Sequence, residues 1–189
     1  MYLFFDTETT GLPRNWKAPI TDLNNWPRMV QLAFLVYDQH GNCITGAEHI
    51  IKPVGFTIPA EASKVHGITT QRAMDEGVML TEVLHEFQSY LKESEYIVAH
   101  NLPFDEAIAG AEFLRSNMEN LLPSRKRICT MSSSTSYCAI PGKYGHKWPT
   151  LAELHKRLFG TDFVNAHNAA ADIEATARCF WELKNRGII

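Results

Sequence analysis

Phe4-Phe5-Asp6-Thr7-Glu8-Thr9-Thr10-Gly11 sets two carboxylates at the end of an apolar run and then breaks the chain. Tyr2 to Phe5 is a short aromatic and aliphatic run of the kind that makes a buried strand, and Gly11-Leu12-Pro13 supplies the break. Side chains two apart on a strand share a face, so Phe4, Asp6 and Glu8 stand on one side and Leu3, Phe5 and Thr7 on the other. Two like charges about 4 Å apart repel by about 1 kcal/mol in water and about 4 kcal/mol at an effective dielectric constant of roughly 20. A half-buried pair therefore calls for a cation or a shared proton. Oxygen-only ligands of this kind suit Mg²⁺ or Mn²⁺. By itself an Asp-x-Glu at a strand end is more often a solvated edge, so the metal reading depends on matching carboxylates elsewhere in the chain.

The 189 residues suit one well-buried domain, 1–189, and are short for two. An apolar fraction of 45% and a charged fraction of 21% are those of an ordinary soluble protein. No apolar run approaches the roughly 20 residues of a membrane span, and no basic region or signal peptide precedes the first strand, so no membrane partner and a cytoplasmic location are expected. Cys43, Cys129, Cys138 and Cys179 show no Cys-x-x-Cys spacing and suit reduced thiols. The net charge of −3 counts mildly against a nucleic-acid partner. It does not exclude one, because a site that works through divalent metals carries its positive charge as ions.

Downstream, Arg14 to Arg28 is a polar and aromatic loop punctuated by prolines, whose two tryptophans and two arginines either stack on bases and hold phosphates or pin the loop to the domain. Met29 to Tyr37 and Cys43 to Ile51, joined by Asp38-Gln39-His40-Gly41-Asn42, make a hairpin. A short helix opens at Pro59 and stops at His66-Gly67, Thr69 caps the next, and Leu80 to Lys92 is amphipathic. Tyr96 to Ala99 is a second buried strand. A helix follows at once, with Asn101 as its cap, Pro103 and Asp105 in its first turn, and a stripe running from Phe104 to Met118. Arg127 to Thr130 reads as a last short strand, Ser132 to Ser136 as a polar link, Pro141 to His146 as a mobile loop and Thr150 to Leu158 as a helix. A final helix runs from about Asn168 to Arg186, with Asp172 beside its core face and His167 just ahead of it.

Three stretches in this order resemble the DnaQ-like 3′-to-5′ exonucleases with the DEDDh active site. They are Phe5-Asp6-Thr7-Glu8-Thr9-Thr10-Gly11-Leu12, Val98-Ala99-His100-Asn101-Leu102-Pro103-Phe104-Asp105 and His167-Asn168-Ala169-Ala170-Ala171-Asp172, with a softer match at Glu61 to Thr69. The resemblance covers nearly the whole chain and is strongest to the proofreading members that serve bacterial DNA polymerase III. It implies a ribonuclease H-like α/β fold: a five-stranded mixed sheet flanked by helices, three strands antiparallel and two more parallel to the first. It also implies two divalent metal ions, with Asp6 bridging both, Glu8 and Asp172 completing the nucleophile-side site, Asp105 holding the other through water, and His167 as general base. Thr9 and Leu12 would receive the 3′-terminal nucleotide, Glu61 and His66 its sugar or phosphate, Asn101 would belong to the same substrate site, and Phe104 would pack against a base.

The chemistry is coherent without the family. Phosphodiester hydrolysis needs a water deprotonated near neutral pH and charge stabilisation on the leaving oxygen, and two metals supply both. A histidine with an ordinary pKa of about 6.5 is a suitable base. The expectation is a metal-dependent 3′-to-5′ exonuclease acting on a single-stranded or frayed 3′ end of DNA and releasing nucleoside 5′-monophosphates. Two alternatives stand beside it: an RNA-trimming enzyme of the same family, and a non-catalytic nucleic-acid-binding or polymerase-docking module. The end of the chain at Ile189, soon after the last helix, leads to the expectation of either an autonomous enzyme or a DNA polymerase subunit that docks through the domain surface.

Overall fold

The computed structural model describes residues 1–161 and 169–189. Its sheet is built on β1 (Tyr2–Thr9), which pairs antiparallel with β2 (Met29–Tyr37) on one side and parallel with β4 (Tyr96–Ala99) on the other. Outside these lie β3 (Cys43–Ile50) against β2 and β5 (Lys126–Cys129) against β4, giving the order β3-β2-β1-β4-β5. This is the expected mixed sheet of three antiparallel strands joined by two parallel ones.

The alternation of β1 sorts its side chains between two helical layers. Phe4 turns toward α8 (Ala169–Asn185), where its ring lies 5.1 Å from Phe180 in an edge-on contact. Phe5 turns to the opposite face and meets Phe87 of α3 (Leu80–Glu93) at 5.3 Å, and Phe87 in turn stacks on Phe113 of α4 (Leu102–Arg115). Both faces of β1 are thus dry, which suits a run with four consecutive buried residues, Tyr2 to Phe5. The short helices α1 (Ala60–His66) and α2 (Thr70–Glu76) close the end of the sheet where β1 finishes; α1 stops at Gly67 with φ 75°, and Thr69 accepts from Arg72 N–H as the cap of α2.

The structure corrects four local expectations. Asn101 precedes α4 but makes no side-chain cap bond. It adopts the left-handed conformation, φ 72°, so that the chain can reverse from β4 into the helix within two residues, a conformation asparagine tolerates. That helix ends at Arg115, so Met118 of the expected stripe lies beyond it. The polar stretch after β5, which starts one residue early at Lys126, winds into two single turns, α5 (Thr130–Ser133) and α6 (Thr135–Cys138), with the Ser134 hydroxyl donating to Thr130 O at 2.6 Å. The Pro141 to His146 stretch forms a two-residue antiparallel pair, β6 (Pro141–Gly142) with β7 (Gly145–His146). It leads to α7 (Leu151–Phe159), which Thr150 and Glu153 start with a reciprocal capping box.

One buried ionic knot fixes the long loop between β1 and β2. Glu112 of α4, 0% exposed, accepts through Oε1 from Arg28 Nε (2.9 Å), Met29 N–H (3.0 Å) and Arg115 Nη1 (2.9 Å). Arg115 then reaches into the loop and donates through Nη2 to Leu23 O and Trp26 O. Removing one member of a buried charge cluster leaves the others uncompensated, at a cost of roughly 3–5 kcal/mol. Glu112→Ala is therefore expected to lower the stability by about that amount in denaturant titrations. Arg72→Ala, which breaks the exposed i,i+4 pair with Glu76, is expected to change it by about 0.5 kcal/mol or less.

Candidate functional site

The site forms because β1 is longer than its parallel neighbour. The β1–β4 pairing runs Tyr2 with Tyr96, Leu3 with Ile97 and Phe4 with Val98, and β4 ends at Ala99, so Asp6 to Thr9 project past it. On the other side β2 keeps pairing with β1 as far as Thr9. The result is a strand supported along one edge and open along the other, at the carboxyl ends of β1 and β4, where open α/β sheets bind ligands.

Asp6 and Glu8 stand on the α8 face of this projecting segment, and α8 brings Asp172 to them from its first turn. One oxygen from each of the three carboxylates lies within 4.8 Å of the others. Asp105 arrives from the opposite face, in the first turn of α4, and is 3% exposed. Its Oδ1 accepts from both Thr7 N–H (3.0 Å) and Thr7 Oγ1 (2.7 Å), satisfying the backbone donor that lost its strand partner when β4 ended. The structure thus brings together three of the four predicted carboxylates directly and anchors the fourth one residue away, between them in the chain. His167 and Asn168 lie outside the described residues.

Burial dominates the electrostatics. It pushes the Asp6 carboxyl well above its ordinary range, and the charges of Asp105 and Asp172 push it further. Glu8 is raised to about 8, again mainly by burial and then by Asp6 and Asp172. Asp105 is raised to about 7, because burial outweighs the opposing effect of its two hydrogen bonds from Thr7. Carboxylates in this condition hold protons in place of cations, and a divalent ion with oxygen preference restores their charge.

A cavity of about 320 Å³ opens beside Glu8, lined by Thr7, Thr9, Gly11, Leu12, Ala62, Val65, His66 and Phe104. Four of the predicted substrate residues, Thr9, Leu12, His66 and Phe104, line it. Leu12 is 71% exposed at its rim, and Thr9 is buried with its hydroxyl donating to Gly11 O. His66 is buried, with Nδ1 accepting from Ile68 N–H at 3.1 Å, so the neutral ring carries its proton on Nε2. That atom is buried and makes no full hydrogen bond among the described residues; desolvation holds the ring's pKa below the ordinary histidine range, against a smaller opposing pull from the Thr9 backbone. Glu61, exposed in the first turn of α1, and Asn101 are not among the lining residues. Sequence reading missed Ala62 and Val65, whose signal is helical spacing with His66, and Thr7, whose signal is its place between the two carboxylates.

Comparison with known proteins places these features. A family model described as exonuclease matches residues 3–180. The PolC-type DNA polymerase III of Streptococcus pneumoniae is 31% identical over 177 residues, covering 94% of this chain and 11% of that protein. The PolC-type enzyme of Pediococcus pentosaceus is 29% identical over 186 residues, covering 97% and 11%. The chain thus spans about a tenth of the length of these curated relatives. In three dimensions the chain is similar to E. coli exonuclease I in a zinc-bound complex with single-stranded DNA (TM-score 0.77, 24% identity, 98% of this chain and 40% of that one). It is also similar to exonuclease I of Methylocaldum szegediense (TM-score 0.74, 21% identity, 98% and 40%). At these identities the structural likeness establishes the ribonuclease H-like fold.

The carboxylate shifts have a definite sign. Glu8 protonates at about 8 in the folded chain against an ordinary 4.5, so its stabilising effect is complete below about pH 4.5 and is lost as pH rises through 8. In chelator, Glu8→Gln is expected to melt several degrees above the unaltered protein at pH 8, with the gap closing toward pH 5. Saturating Mg²⁺ should raise the unaltered protein's melting temperature more than the variant's. A gap independent of pH would contradict the strained-carboxylate reading.

Proposed function

The chain belongs to the exonuclease family, and we propose that it hydrolyses phosphodiester bonds one at a time from the 3′ end of DNA, releasing nucleoside 5′-monophosphates. The observation that carries this reading is the convergence of Asp6, Glu8 and Asp172 on one point beside a nucleotide-sized cavity. We take residues 1–189 as one exonuclease domain.

The carboxylate oxygens fit divalent ions of the Mg²⁺ or Mn²⁺ class, since all donors are hard oxygens and a buried charge cluster needs neutralising. Asp6, Glu8 and Asp172 would hold one ion, and Asp105 would complete a second with Asp6. When bound, two such ions activate the attacking water and stabilise charge on the leaving oxygen. The residues of the chain do the rest. Thr7 fixes the Asp105 carboxylate through two hydrogen bonds, so that its orientation precedes substrate arrival. His66 lines the cavity, and its Nε2–H, beside the Thr9 backbone, is suited to a sugar or phosphate oxygen there. Leu12, Val65 and Phe104 offer apolar surface to a base and exclude water around it. His167 is our candidate for the proton acceptor, and Glu61 and Asn101 are candidates for outer substrate contacts.

DNA is preferred over RNA because the curated relatives are DNA polymerases and one solved neighbour holds single-stranded DNA. The same relatives support association with a polymerase. Stepwise loss from the 3′ end of single-stranded, mismatched and recessed DNA oligonucleotides in Mg²⁺ is the expected result. Chelator should abolish it, and Asp6→Ala or Asp172→Ala should lower it by about a thousandfold or more, the scale of several kcal/mol of lost charge stabilisation. Turnover of the matching RNA at least about tenfold faster than DNA would reverse the substrate assignment.

A further inference from the structure

We infer that Trp16 is a stacking platform for a nucleobase upstream of the terminal nucleotide, with Arg14 and Lys17 beside it taking the neighbouring phosphates. The inference rests on the exonuclease reading above and extends the substrate site outward onto the loop between β1 and β2.

The two tryptophans of that loop do different jobs. Trp26 is 7% exposed and its Nε1–H donates to Pro19 O at 3.1 Å, so it packs the loop onto the domain. Trp16 is 56% exposed. Its backbone surroundings are held by other groups. The buried Asn25 side chain accepts from Asn15 N–H (2.7 Å) and donates to Asn15 O (3.0 Å), while Arg14 N–H donates to Asn25 O (3.3 Å). The backbone that carries the Trp16 ring is therefore held by other groups, and more than half of the side chain is left open to something that covers it.

Its aromatic neighbour among the described residues indicates what. The Trp16 ring lies 5.7 Å from Phe104 at an interplanar angle of 45°, and Phe104 lines the cavity beside Glu8. Apolar surface thus runs without interruption from the cavity outward through Phe104 to Trp16. A strand whose 3′ end sits at the carboxylates would lay its preceding base along this path. Aromatic stacking tolerates any base, as removal of successive nucleotides of any sequence requires. Arg14 and Lys17, both exposed and flanking Trp16, form no ion pair among the described residues. In a chain of net charge −3 they supply local positive charge where a phosphate backbone would pass.

The test compares two substrates of the full-length chain: the oligonucleotide (dT)12 and the 4-nitrophenyl ester of thymidine 5′-monophosphate, which has the reacting phosphate but no upstream base. Trp16→Ala is expected to lower kcat/KM on (dT)12 by about tenfold, mainly through KM, and to leave the ester within twofold. Trp16→Phe should retain most of the activity on (dT)12. Lys17→Ala should reduce the log–log salt dependence of KM by about 0.7, the contribution of one phosphate contact on a single strand. Equal effects of Trp16→Ala on both substrates, or none on either, would overturn the inference while leaving the exonuclease reading intact. Failure of the unaltered protein to hydrolyse either substrate would overturn both.

Discussion

The shortness of β4 beside β1 is the constraint from which the site follows. Had β4 continued, Thr7 N–H would be a ladder donor and the crevice would be filled with backbone. Because β4 stops at Ala99, the chain must satisfy that donor from elsewhere, and it does so with the Asp105 carboxylate, delivered by the turn through the left-handed Asn101 into α4. A carboxylate is thereby placed at the mouth of the sheet by ordinary hydrogen-bond accounting. Helix α8, packed on the opposite face through Phe180, sets Asp172 against Asp6 and Glu8.

That geometry concentrates charge where the protein offers little to balance it. Arg28 and Arg115 are engaged with Glu112, so they hold the loop. The raised carboxyl groups of Asp6, Glu8 and Asp105 are the consequence. A site of this kind binds divalent cations by relieving its own strain, and the order of events is set by charge: an anionic phosphate meets a neutralised crevice far more readily than a bare one.

Much of this was legible from residue order alone. Alternation along β1 put Asp6 and Glu8 on one face, apolar runs marked β1, β2 and β4, and Gly67 and Thr69 marked helix ends that the structure keeps. What the pattern could not convey was length and partner. Nothing in Tyr96 to Ala99 says that its pairing with β1 ends at Phe4, so the bond between Thr7 and Asp105 was hidden. Nothing in Asn101 distinguishes a side-chain cap from a left-handed turn, since asparagine serves both. The cavity wall of Ala62 and Val65 was hidden for a different reason: small and aliphatic residues on a short helix read as core until the neighbouring strand is seen to have ended.

The loop between β1 and β2 shows how the same chain separates anchoring from recognition. Its inward side is tied by Glu112, Arg115, Asn25 and Trp26, groups that are buried or largely buried and hydrogen-bonded to the loop or to one another. Its outward side presents Arg14, Trp16 and Lys17 to solvent. A loop held only by its exposed residues would have to order itself on each binding event, at a cost of about 1–2 kcal/mol for every residue fixed. Anchoring from beneath removes that cost before any strand arrives, so the outward residues are free to act on the substrate alone.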